Sequence, residues 1–307
     1  MERKEYVFKQ VAAGEGIDAT VWYKAETSTT AKPIVFYVHG GNFIVGHKDL
    51  LSPDYAETLL NLGFGAVVSP NYRLSPTISA YDGAVTDTRD AYNWTINKLP
   101  AQFAQDTGVK LDPQRIVAFG HSAGGTLALL TASSPEPPKA ILDIFGMKYL
   151  TDEFYYTPNP ALAKIPDFDQ DFLDKIFAEN PPPNGAPPPF GPKGPDFSKC
   201  RAAWLFDSMK RGTFLKGVIP DGKYDRVDPA TIFSSSFPPT YFIHGAADTG
   251  VPARFSEKAH AELKEKGVET ELVIVDGAAH NFDAGAKPGD EKFAILEKGF
   301  KFLKAHV

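Results

Sequence analysis

The sequence predicts an α/β fold built on a mainly parallel sheet with helices on both faces, and two observations carry that reading. Short apolar runs recur along the chain with amphipathic stretches between them, and the later runs are apolar at consecutive positions, as strands covered on both faces require. The runs span 17–23 (IDATVWY), 33–40 (PIVFYVHG), 65–70, 115–120 (RIVAFG), 140–146, 240–245 (TYFIHG) and 271–277. The first alternates apolar and polar positions and is expected to be an antiparallel edge strand. Helices are expected at 53–62, 82–98, 122–133, 253–267 and 290–305, the fourth opening just after Pro252 and closing at Gly267.

One stretch breaks the rhythm. From 147 to 238 the chain runs far beyond the roughly 2–6 residues usual between a strand and its neighbouring element, so an extra unit is inserted there. Residues 1–146 and 239–307 are therefore read as the catalytic core and 147–238 as a lid placed before the last two strands. The lid holds a candidate helix at 165–180. It continues into a proline-rich stretch at 181–197, which cannot be regular helix or central strand, and a second helical region at 200–217.

Composition narrows the classes of function. The 307 residues are 43% hydrophobic, enough for a sizeable core, and the formal net charge of −6 is scattered without a basic block, which argues against nucleic acid as a partner. No apolar run reaches the roughly 20 residues of a membrane span, and the charged first residues do not read as a signal peptide, so a cytoplasmic protein is expected. The single cysteine, Cys200, has no partner for an intrachain disulfide and no metal-ligand spacing around it. A homodimer is compatible with the sequence, which does not decide the oligomeric state.

The chemistry is concentrated where apolar runs end. Gly120-His121-Ser122-Ala123-Gly124 lies between a buried run and a helix pattern, the context of a G-x-S-x-G nucleophile elbow. At such a turn Ser122 presents its hydroxyl at a helix N-terminus, where free amides and the helix dipole favour developing negative charge. After an earlier strand, His39-Gly40-Gly41-Asn42 forms a glycine-rich turn. Gly41 and Asn42 are expected to donate backbone amides to a substrate oxyanion, together with the amide of Ala123.

A serine nucleophile needs a base and an orienting acid, which follow it in this kind of chain in the order Ser, Asp, His. His280, in a glycine-bearing loop after the last strand, is the candidate base; His260 lies within a helix, His306 at the C-terminus, and His244 at a strand end. Asp248, on the loop after the neighbouring strand, is favoured as the acid over Asp276 and Asp283, which share the histidine's own loop, and over Asp143, expected to be buried and structural. Phe43, His121 and the lid residues Trp204, Leu205, Phe206, Met209 and Phe214 are the candidate substrate-binding groups, and their aromatic character suggests a hydrophobic or aryl ester.

"HGGNF" (39–43), "NYRLSP" (71–76), "GHSAGG" (120–125), "HGAAD" (244–248) and "GAAHNF" (277–282) together resemble the α/β-hydrolases of the hormone-sensitive-lipase-like group, close to carboxylesterases and arylformamidases. The resemblance implies an eight-stranded, mainly parallel sheet and a Ser122, Asp248, His280 triad. It also implies an oxyanion hole around Gly40, Gly41, Asn42 and Ala123, with His39 bracing the glycine loop. Asn42 departs from the family's third glycine. The implied activity is serine carboxylesterase chemistry on a small-molecule ester, with no metal or organic cofactor. Two alternatives stand beside it: acyl transfer or hydrolysis of an ester or amide intermediate in polyketide-type biosynthesis, and a non-catalytic ligand-binding protein on the same fold. A peptidase ranks lower, since the chain shows no propeller-blade repeats.

Overall fold

In the computed structural model, which describes residues 1–11, 16–25, 30–191 and 194–307, every apolar run read above becomes a strand. The strands are β1 (Glu2–Gln10), β2 (Gly16–Tyr23), β3 (Lys32–Val38), β4 (Ala66–Pro70), β5 (Leu111–His121) and β6 (Ile141–Ile144). The short pair β7 (Phe190–Gly191) and β8 (Gly194–Pro195) follows, then β9 (Thr240–Gly245) and β10 (Thr270–Val275). The main sheet has eight strands in the order β1, β2, β4, β3, β5, β6, β9, β10. From β4 to β10 all neighbours are parallel, and β2 runs antiparallel to both β1 and β4.

The expectation that 17–23 forms an edge strand is corrected here, because β1 covers it. The residues of β1, ERKEYVFKQ, are charged at most positions, which hides the strand from a hydrophobic reading; Tyr6 and Phe8 supply its apolar contacts, and Val7 points outward at 54% exposure. A polar face suits an outermost strand.

Helices α1 (Pro53–Asn61), α2 (Thr86–Asn97), α3 (Leu99–Thr107) and α4 (Ala123–Leu130) precede the inserted segment. That segment carries α5 (Gln170–Asp174), α6 (Cys200–Arg211) and α7 (Phe214–Val218), and α8 (Arg254–Glu265) and α9 (Glu291–Ala305) follow it. Consecutive apolar residues in a strand serve opposite layers: Ile34, Phe36 and Val38 join the core shared with α2, α3, α4 and α8, whereas Val35 and Tyr37 join the one under α1 and α9. Proline hides α3 from the sequence reading, although Pro100 sits in its first turn, where a missing N–H costs nothing, and Gly108 closes the helix at φ 76°.

The inserted segment is less helical than expected. In place of a helix over 165–180 there is only α5 and a 3₁₀ turn at Lys175–Ala178, because the Asp169 carboxylate accepts from the Phe172 amide at 3.1 Å and starts the helix there. The proline-rich stretch lies along the core, with Gly46 and Ala186 exchanging backbone bonds and the Leu74 amide donating to the Pro183 carbonyl at 2.8 Å. Residues 192–193 of that stretch lie outside the described residues.

Candidate active site

The chain runs from β3 outward to β4, then back across to β5, so the strand order reverses between β3 and β5. At such a reversal the loops leaving the carboxyl ends of the strands diverge and open a crevice. His39 to Asn42 leaves β3 on one side of that crevice, and Ser122 leaves β5 on the other.

The elbow at Ser122 is built by exclusion. Ser122 itself sits at φ 52° and ψ −125°, a conformation that favours glycine. A Cβ on Gly120 would lie 2.2 Å from the Gly124 carbonyl oxygen, and one on Gly124 would lie 2.0 Å from that of Val38. Only glycine lets strand, turn and helix approach this closely. The turn then leads directly into α4, whose first residue, Ala123, has no intrahelical acceptor for its amide.

Three loops bring Ser122, His280 and Asp248 into one hydrogen-bonded line. His280 Nε2 lies 3.0 Å from Ser122 Oγ, and its Nδ1 lies 2.7 Å from Asp248 Oδ2. The other carboxylate oxygen of Asp248 accepts from the amides of Gly250 at 2.8 Å and Val251 at 2.9 Å. Burial pushes the Asp248 carboxyl up, but hydrogen bonds from His244 and His280 and the Val251 amide outweigh it and hold the group well below the ordinary carboxylate range. The acid is thus an anion fixed in its plane, and it fixes the histidine tautomer that leaves Nε2 free to face the serine.

The glycine turn stands against the serine: a Cβ on Gly40 would lie 3.3 Å from that of Ser122. Gly41, Asn42 and Phe43 all take positive φ, 116°, 54° and 63°, and the Gly41 carbonyl accepts from the amides of Ile44 and Val45. The amides of Gly41 and Asn42 donate to no backbone acceptor among the described residues. His39 lies beneath, fully buried and stacked on Tyr72 at 4.1 Å, with its Nδ1 2.8 Å from the Gly40 carbonyl. Burial depresses its imidazole to about 3, so it is a neutral strut under the turn.

The substrate-binding expectations divide. A cavity beside the triad is walled by Asn42 and Gly250 and by Met209 and Phe214 of the inserted segment. Trp204, Leu205 and Phe206 do not line it: Trp204 packs against Phe177 and Gly217, Phe206 against Phe190 and Phe197, and Leu205 is buried in the core. The period of 3.6 residues turns Trp204 away from the face of Met209, whereas Leu205 and Phe206, four and three residues before Met209, share that face one turn earlier and are taken up by the core and by Phe190 and Phe197. Phe43, expected at the pocket, is fully buried in the core because its positive φ swings it away from the crevice. His121 also points away. Its ring lies between Tyr55 and Phe145, with Nε2 2.9 Å from Asp283 Oδ2, so it ties the elbow to the loop that carries His280.

The sequence reading missed Met147, Phe154, Tyr155 and Asn159, which complete the cavity wall. The run "GMKYLTDEFYYTPN" leaves the carboxyl end of a strand, as the other site loops do, and that placement was the available signal. Asp143 is fully buried, as expected for a structural group.

The fold and this placement of loops define an α/β-hydrolase. A family model described as BD-FAE matches residues 21–155, and the prolyl oligopeptidase family model matches residues 209–307. Among solved structures, a protein of unknown function from Staphylococcus aureus superposes with a TM-score of 0.74 at 21% identity, covering 99% of each chain. Esterase 2 of Thermogutta terrifontis, in a form phosphonylated by sarin, superposes with a TM-score of 0.67 at 20% identity, covering 98% of this chain and 93% of that one. These matches and the sheet order place the chain in the α/β-hydrolase superfamily.

Curated relatives include non-reducing polyketide synthases. AusA of Aspergillus calidoustus is 31% identical over 96% of this chain and 14% of its own length, and MapC of Penicillium brevicompactum is 28% identical over 94% and 13%. The chain therefore spans only a small part of the length of these relatives.

Proposed function

We propose that the protein is a serine hydrolase that cleaves carboxylic esters through an acyl-enzyme on Ser122. The observation that carries this reading is the line Ser122 Oγ, His280, Asp248, with contacts of 3.0 and 2.7 Å. His280 Nε2 takes the Ser122 proton as Oγ attacks the acyl carbon, and Asp248 stabilises the imidazolium. The oxyanion is held by the amides of Gly41, Asn42 and Ala123, and collapse expels the alcohol with the proton from His280. Water, deprotonated by the same histidine, then releases the acid and regenerates Ser122. The apolar cavity wall of Met147, Phe154, Met209 and Phe214 supports a hydrophobic acyl or aryl group in the substrate.

A second reading concerns the acyl donor and is favoured by the relatives. Polyketide synthases match along nearly the whole chain, which supports an acyl group of polyketide type, released to water or passed to an alcohol or amine. Both readings share the acyl-enzyme and differ in what enters and leaves it.

The test is intact mass after treatment with a fluorophosphonate, on wild type and on Ser122→Ala. One adduct on the wild type and none on the variant is expected, followed by turnover of aryl esters. Hydrolysis of acyl esters in the presence of a competing alcohol or amine then separates release from transfer by its products. A folded wild type that takes no adduct would overturn the reading in favour of a ligand-binding protein on this fold.

A further inference from the structure

His244 plays no part in the acyl transfer described above, yet it is fully buried against the back of Asp248. Its Nε2 lies 2.7 Å from the Val251 carbonyl oxygen and 3.2 Å from Asp248 Oδ2. Both neighbours are acceptors, so Nε2 carries a proton shared between them. Its Nδ1 lies 2.8 Å from Ser256 Oγ.

The direction of that last bond is set from further away. Lys148, fully buried, donates from Nζ to Ser256 Oγ at 3.1 Å and to the Gly146 carbonyl at 2.7 Å, and its Nζ lies 2.7 Å from Asp143 Oδ2. An ammonium offers donors only, so Ser256 accepts from Lys148 and has its own proton left for His244 Nδ1. Asp143 supplies the counter-charge that a buried ammonium requires, and its Oδ1 accepts from the Gly146 amide at 2.8 Å. The direction runs one way, from the Lys148 ammonium through the Ser256 hydroxyl to His244 Nδ1, which leaves the ring proton of His244 on Nε2.

We propose that Lys148, Ser256 and His244 are positioning residues that orient the Asp248 carboxylate through a one-way hydrogen-bond chain. The inference rests on the reading of Ser122, His280 and Asp248 as the catalytic line. Asp248 Oδ2 is the oxygen that faces His280, and the Nε2 proton of His244, 3.2 Å from it, reaches it as a second donor while bonding the Val251 carbonyl at 2.7 Å. Together with the Gly250 and Val251 amides on Oδ1, this pins the carboxylate in the plane in which His280 meets Ser122. Without the Ser256 hydroxyl, Nε2 keeps its proton because it still faces two acceptors, but nothing holds Nδ1, so the ring is free to turn and its donor no longer stays in line with Asp248.

The experiment measures the rate of fluorophosphonate labelling of Ser122 in wild type, Ser256→Ala and Ser256→Thr, with melting temperatures taken alongside. Losing one hydrogen bond to a charged group predicts labelling slowed about tenfold in Ser256→Ala, with Ser256→Thr close to wild type because it keeps the hydroxyl. A Ser256→Ala protein that labels at the wild-type rate, or a Ser256→Thr protein as slow as Ser256→Ala, would overturn the proposal. Nitrogen-15 NMR of histidine-labelled wild type tests it without any variant. A neutral His244 ring protonated at Nε2 is expected, and a proton on Nδ1 would overturn it. A wild type that does not label at all counts against the catalytic reading of Ser122, and the NMR result still decides the orientation of the chain.

Discussion

Ser122 is held at φ 52° and ψ −125°, where a side chain is strained and glycine is at ease, so the hydroxyl is presented at a cost of roughly 1–3 kcal/mol in backbone energy. Replacing it separates that strain from the chemistry. Ser122→Ala and Ser122→Gly are both expected to lose the fluorophosphonate adduct. Ser122→Gly should be the more stable of the two by about 1 kcal/mol in urea unfolding, although glycine also enlarges the entropy of the unfolded chain. Equal stability would show that the turn is relaxed. The residues proposed to do the chemistry were legible because each follows an apolar run that ends at a sheet edge. Phe43 and His121 were misplaced for a physical reason at the same scale: a single backbone angle, or the alternation of strand side chains, decides which way a residue next to the site points.

At the scale of elements, α6 is one link between the inserted segment and the glycine turn after β3. Arg201, buried at the start of that helix, donates to the carbonyls of Ile44 at 2.6 Å and Ser75 at 2.9 Å and pairs with Glu179. The Ser75 amide in turn donates to the Phe43 carbonyl at 2.7 Å, so one guanidinium ties the covering segment to the loop beside Ser122. Arg201→Met leaves these acceptors unpaired and is expected to destabilise the protein by about 2 kcal/mol. Limited proteolysis should then cut within 147–238 before it cuts elsewhere, and an unchanged cleavage pattern would show that the segment is held without this guanidinium. Gly124→Ala is a sharper test of the elbow. Its Cβ would fall 2.0 Å from a backbone oxygen, so loss of the Ser122 adduct with a lowered melting temperature is expected.

For the whole molecule, the buried imidazole of His39 ties stability to pH. Its depressed value of about 3, against an ordinary 6.5, means the folded protein keeps it neutral while the unfolded chain takes up a proton below about 6.5. That contribution is fully present above 6.5 and falls by about 1.4 kcal/mol per unit as the pH drops toward 3. His260, also lowered by burial, adds in the same direction, whereas Asp248 and Asp283, held below the ordinary carboxylate range, lose their contributions only at more acid pH. Urea unfolding at about pH 6.5 and about pH 5 should therefore differ by about 2 kcal/mol in wild type. A flat profile over that interval would show His39 to be solvated.

The sequence by itself determined the strand and helix rhythm, the inserted segment and the loops that bear Ser122, Asp248 and His280, because apolar periodicity and glycine at strand ends are local properties of the chain. It did not show β1, whose charged residues form a strand only because β2 offers an open edge, nor α3, whose proline is harmless only in a first turn. The cavity wall and the polar chain from Lys148 to Asp248 were decided by tertiary structure alone. Lys148, His244 and Ser256 lie on three separate segments, and nothing in the sequence around each says that the sheet will bury them against one another. A buried donor finds its acceptor only once the packing of the core has fixed both.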